Sequence, residues 1–211
     1  MDEVIKTFHK EFIDLVESMA TDVTDPSLYC ESFMEIFIQH IQDHGWILEE
    51  NYITPCKSRR GEIHGYGKDL SPQTNKNDFS EDRLDLYYCL PIGDVKNAER
   101  NKVMGGFEKL ELFVKEVIDG DVIEYDIPEL DELIQIIKSN FKKLNSIRFF
   151  VFTDGTSQIN EVIEKPMFGK KVQCRVIDIK ELEEKKDVSI EHGALIDLEK
   201  IGFSPPCIEF G

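Results

Sequence analysis

The sequence lacks any run of about 18 consecutive apolar residues, which excludes a membrane-spanning helix. It also lacks a secretory signal, because Met1-Asp2-Glu3-Val4-Ile5-Lys6 is not a basic stretch leading into an apolar one. The expected location is therefore cytoplasmic, with no membrane partner. CxxC pairs are missing too. The five cysteines, Cys30, Cys56, Cys89, Cys174 and Cys207, are scattered and odd in number. That counts against zinc and against a disulfide framework, and most of them are expected to be small buried apolar residues. Positive charge is scarce: 25 Lys and Arg stand against 42 Asp and Glu, a net charge of −17. Such a chain repels nucleic acid at long range, because phosphate neutralisation supplies most non-specific affinity. A free-standing DNA-binding domain is disfavoured, while a local basic site is not. No GxSxG elbow occurs. Gly65-Tyr66-Gly67 is not followed by the helix that a phosphate-cradling loop needs. There is no internal repeat and no low-complexity linker.

What is present is enough for one sizeable core: 211 residues, 41% apolar. Val4, Ile5, Phe8, Phe12, Leu15, Val16 and Met19 recur at helical spacing and predict an amphipathic helix over 2–20. Asp25-Pro26 reads as an N-cap followed by proline at the first helical position, opening a helix that runs to about Asp43 and ends at Gly45. Residues 46–60 read as an irregular connection or a short strand at Trp46-Ile47-Leu48. Residues 61–67 and 83–90 read as two strands joined by a turn-rich segment over 71–78, the simplest connection being a hairpin with a long tip. In 83–90, Leu84, Leu86 and Tyr88 share one face and Asp85, Tyr87 and Cys89 the other. Helices follow over about 97–118 and 129–143. Ser146–Thr153 is a nearly continuous apolar run, as expected of a central strand covered on both faces, and Asp154-Gly155 is the turn that stops it. Lys171–Ile177 reads as another strand, then a short helix near Ile179–Glu184, and a final edge strand over Val188–Leu198. The order α-α-β-β-α-α-β-β predicts an α/β/α sandwich with a mixed sheet and an extra N-terminal helix. The expected organisation is an N-terminal helix at 1–24, a single α/β domain at 25–200, and at 201–211, with Pro205-Pro206, the start of a linker to a further region of a longer chain.

Helix, strand and strand, each carrying acids, is how restriction-endonuclease-like folds assemble a metal site. Metal-dependent phosphodiester cleavage needs carboxylates converging on Mg²⁺ and a group that activates water or stabilises charge. Glu35 (or Glu31) on the helix, Asp69 after the first strand and Asp85 on the second are the candidate metal ligands. Glu62, His64, Asp85 and Tyr87 are the candidate catalytic cluster: Glu62 and His64 share a face of the first strand, Asp85 and Tyr87 share a face of the second, and the four are expected to be able to converge. Lys57, Arg59, Arg60 and Lys68 form the candidate nucleic-acid patch. Against this stands chance, since 42 acids in 211 residues make coincidental clusters common. His64 has an alternative as a satisfied structural histidine, and Asp85 as a partner of Arg83. The site is also incomplete: Asp85 is followed by Leu86 and Tyr87, so the lysine expected two residues after the acid is missing.

Four motifs in order carry a resemblance: Gly61-Glu62-Ile63-His64-Gly65-Tyr66 with Asp69; the strand Leu84–Leu90; Ile147–Thr153 followed by Asp154-Gly155; and Val172–Ile177 followed by Asp178-Ile179-Lys180-Glu181-Leu182. Over roughly residues 25–200 the chain resembles the N-terminal region of the abortive-infection phage-resistance (AIPR) family. The resemblance implies a bacterial phage-defence setting and a restriction-endonuclease-like α/β core. Members often carry an aspartate just before the Gly-Tyr pair, where this chain has His64. With the missing lysine, that departure sets two expectations side by side: a nuclease-like, degenerate core that acts on or senses nucleic acid, and a non-catalytic protein-protein interaction domain.

Overall fold

A computed structural model describes residues 3–70, 82–121, 127–141, 143–167 and 169–184. The elements are α1 (Glu3–Met19), α2 (Pro26–Ile41), β1 (Glu50–Lys57), β2 (Glu62–Asp69), β3 (Arg83–Leu90), α3 (Arg100–Asp119), α4 (Pro128–Asn140), β4 (Ser146–Thr153), β5 (Ile163–Met167) and β6 (Lys170–Asp178). Residues 179–184 are helical. The helix starts and stops follow local chemistry. The Asp25 carboxylate accepts from the Ser27 and Leu28 amides, with Pro26 behind it. Gly45 ends the segment at φ 65, a left-handed conformation that needs glycine.

The strands make one mixed six-stranded sheet, ordered β1-β2-β3-β4-β6-β5. β1, β2 and β3 form an antiparallel meander. β4 lies parallel to β3, and β6 parallel to β4. β5 closes the far edge antiparallel to β6. One face packs under α3 and α4, burying Leu84 and Leu86, Ile147, Phe149 and Val151, and Val172, Cys174 and Val176. The other packs under α1 and α2, burying Tyr87 and Cys89, Phe150 and Phe152, and Ile177. The result is an α/β/α sandwich with a mixed sheet.

Two strands depart from expectation. β1 begins at Glu50, after Trp46-Ile47-Leu48, and runs through Pro55 with a bulge between Ile53 and Cys56. β5 carries Pro166. Both are edge strands, where a proline costs no ladder hydrogen bond. Of the cysteines, Cys56, Cys89 and Cys174 are buried and Cys30 is partly buried. The expected tip of the β2–β3 connection, the edge strand over 188–198, Cys207 and the linker at 201–211 lie outside the described residues. Among the described residues, no helix is long and apolar enough to cross a membrane.

Candidate functional site

Strand alternation turns Asp85 and Tyr87 towards the α1/α2 side of β3, and the parallel register sets Arg148 of β4 directly opposite Asp85. Asp85 is fully buried. Arg148 grips it bidentately, Nε donating to Oδ1 at 2.7 Å and Nη2 to Oδ2 at 2.6 Å. The Leu48 amide donates to Oδ2 at 3.1 Å. Burial pushes the Asp85 carboxyl up from its ordinary range, while the guanidinium and the amide pull it down. Such an acid is already spent: both oxygens are occupied by fixed donors. Beside it, the Tyr87 hydroxyl donates to Asn51 Oδ1, and Asn51 Nδ2 donates to the Leu48 and Glu49 carbonyls. Gly67 makes room, since a Cβ there would lie 2.4 Å from the Tyr87 hydroxyl.

Glu62 and His64 form a second network. The Cys89 amide donates to His64 Nδ1 at 2.8 Å, which leaves Nε2 as the protonated nitrogen in the neutral ring. Nε2 stands 3.7 Å from Glu62 Oε1, and Lys109 of α3 lies 3.6 Å from Glu62 Oε2. The His64 contact, ahead of the nearby cations, holds the Glu62 carboxyl below the usual range against its partial burial. The His64 ring sits 4.9 Å from that of Tyr88. The four candidate catalytic residues thus divide between a pair facing Arg148 and Asn51 and a pair facing Tyr88 and Lys109.

The candidate metal ligands are dispersed. Glu35 is exposed on α2, Asp69 is exposed at the end of β2 in register with Arg83, and Asp85 is sealed beneath Arg148. Among the described residues, no group of three or more His, Cys, Asp and Glu could hold a metal ion. The basic residues also separate. Lys57, Arg59 and Arg60 sit at the β1–β2 turn, where Arg60 pairs with the buried Glu116 of α3. Lys68 lies at the opposite end of the ladder, bonded to Glu132 at 2.5 Å and 3.2 Å from Glu50.

Arg148 was not singled out from the sequence, whereas Asp154 was expected in the turn at the carboxyl edge of the sheet. Asp154 is fully buried and accepts from the Ile92 and Gly93 amides at 2.5 and 2.8 Å, with His9 Nε2 of α1 at 3.3 Å. Asp178 accepts from the Ser157 and Glu181 amides at 2.6 and 2.9 Å. These acids hold loops in place. The signal that could have found Arg148 is a lone cation inside an otherwise apolar strand, Ser146–Thr153, since such a group needs an acid on a neighbouring strand.

The family model described as the abortive infection phage resistance protein N-terminal domain matches residues 33–184. No curated protein and no solved structure matches the chain. The matched span begins within α2 and runs through all six strands to the helical residues after β6. The chain belongs to the family of abortive infection phage resistance protein N-terminal domains.

Proposed function

We propose that this domain is a nuclease-like core of a phage-defence protein that meets nucleic acid without cleaving it through Asp85. The observation that carries the reading is the Asp85–Arg148 clamp, closed by the Leu48 amide. A carboxylate that must ligate Mg²⁺ needs a free oxygen facing open space and further oxygen donors beside it. Asp85 has neither, and Tyr87, at the position where a lysine would serve, is committed to Asn51. The residues present do not fit a Mg²⁺ centre built on Glu35, Asp69 and Asp85. The topology supports the nuclease-like part of the reading: a helix, an antiparallel three-strand meander, a helical crossover and a fourth strand parallel to the third are compatible with the restriction-endonuclease-like core that the resemblance implies.

Isothermal titration of Mg²⁺ and Mn²⁺ into the parent chain and into Asp85→Ala tests this. The expected result is no metal binding that depends on Asp85, and no metal-dependent cleavage of DNA or RNA that Asp85→Ala abolishes. Either dependence would restore the cleavage reading with Mg²⁺ as cofactor. A second reading, a protein-protein interaction domain, is favoured by the exposure of Val4, Leu15 and Met19 on α1. It expects Leu15→Glu to abolish binding of a protein partner while leaving the fold unchanged.

A further inference from the structure

Helices α1 and α2 cover only part of their face of the sheet. Near the carboxyl ends of the strands that face is closed over Cys89, Phe152 and Ile177. Nearer the amino ends, among the described residues, it is open. There Arg83, Arg148 and Arg175 are partly exposed, and Lys171 and Gln173 are exposed. Alternation puts all of them on the same side as Asp85. The strip holds cations on three adjacent strands of a chain whose net charge is −17.

Three of these cations have carboxylate partners: Lys171 lies 3.0 Å from Glu164, and the two arginines at the centre of the strip are held in fixed poses. Arg148 uses Nε and Nη2 on Asp85, lies 5.2 Å from the Phe150 ring centre, and keeps 23% of its side chain exposed. Arg175 is bonded to Glu181, lies 4.6 Å from the Trp46 ring centre, and keeps 30% exposed. In register, Phe150 pairs with Arg175 and Arg148 with Gln173, so the two arginines are diagonal neighbours on one face. A guanidinium fixed by one carboxylate still presents unused N–H groups to an anion. Trp46 adds a half-buried aromatic surface, with the His44 ring 6.0 Å away. Next to this strip is a cleft of about 500 Å³ lined by Leu48, Glu49, Glu50, Lys68, Asp69 and Arg83. There acids outnumber cations, whereas on the strip Asp85, Glu164 and Glu181 are each matched by Arg148, Lys171 and Arg175, so the strip is the better seat for phosphate.

Resting on the reading of the domain as one that meets nucleic acid, we infer that this open strip binds single-stranded nucleic acid, with a base against Trp46 and the adjoining phosphates on Arg148 and Arg175. Aromatic stacking beside a cationic groove is the sequence-tolerant way of holding a single strand. This surface is distinct from the β1–β2 turn that carries Lys57, Arg59 and Arg60.

Trp46 is the single tryptophan of the chain, so its fluorescence reports this site alone. The chain is titrated at low salt with oligothymidylate, oligouridylate and inorganic tripolyphosphate. The expected result is quenching by one or both oligonucleotides, reversed by added salt, with little quenching by tripolyphosphate. By anisotropy of a labelled oligonucleotide, Trp46→Ala weakens binding roughly tenfold, within the range of one stacked base. Lys171→Glu, an exposed change that leaves the core untouched, weakens it in the same direction, as does Arg175→Gln. Absence of quenching by either oligonucleotide, equal quenching by tripolyphosphate, or unchanged affinity in Lys171→Glu and Arg175→Gln would overturn the assignment. Cleavage that depends on Asp85 would sink the non-cleaving reading and leave these binding results to stand or fall by themselves.

Discussion

The two faces of the sheet are built on different terms. Under α3 and α4 the inward side chains of β3, β4 and β6 are apolar along most of their length, and α3 closes over them with Val103, Phe107, Leu110, Phe113 and Val114. Under α1 and α2 the same strands are apolar only near their carboxyl ends. Farther back they carry the buried Asp85 gripped by the partly exposed Arg148, and leave Arg175 half-open beside Trp46. Strand pairing alone does not make a buried face, because burial also depends on where the covering helices reach. Polar chemistry collects where they stop. The closed face holds the fold together, and the half-open face is the one on which the inferred ligand site lies.

The largest expected effect breaks the open face at the Asp85–Arg148 ion pair. Arg148→Ala leaves the fully buried Asp85 without its partner and is expected to cost about 3–5 kcal/mol, measured by urea denaturation. The double substitution Asp85→Leu/Arg148→Met should recover most of that loss, because two well-packed apolar groups avoid the desolvation of the pair. A double variant no more stable than the single one would mean that the pair is not the source of the cost.

The closed face can be broken by a single methyl group. A Cβ at Gly61 would lie 2.2 Å from the Phe113 backbone nitrogen. Gly61→Ala must push the β1–β2 turn off α3, and about 1–3 kcal/mol of stability should be lost. Retention of full stability in thermal melts would show that the turn relaxes freely.

The smallest effect sharpens the comparison at the rim of the closed face. Glu116 is buried and accepts from the Arg60 and Gly61 amides. Burial pushes its carboxyl up, but the donors from Ser58, Arg60 and Gly61 outweigh it, and the folded-state value lies below 4.5. A carboxyl lowered on folding contributes stability above its unfolded value, and that contribution is lost as pH falls through the folded value. Glu116→Gln should therefore lose about 1–2 kcal/mol at neutral pH. Its stability should also fall less steeply than the parent's as pH drops below 4.5. Parallel pH profiles for the two proteins would remove Glu116 from the account.

Local chemistry in the sequence determined much of the fold. Apolar spacing placed α1 and α2, Asp25-Pro26 capped α2, and the run Ser146–Thr153 coincides with β4 residue for residue. Alternation in β3 assigned the right side chains to each face, because a strand's period of two needs no knowledge of its neighbours. The ordered motifs also carried the family resemblance. β1 and β5 were not legible, since each carries a proline and alternates weakly, and only the sheet's edges tolerate that. The partner of Asp85 was equally hidden. Arg83 lies two residues away along the same strand, whereas Arg148 lies 63 residues on and meets Asp85 only because β4 joins β3 in parallel. Tertiary structure alone decided which acids and cations were engaged with one another and which stayed partly exposed, because pairing across strands and the reach of a covering helix depend on residues far apart in sequence.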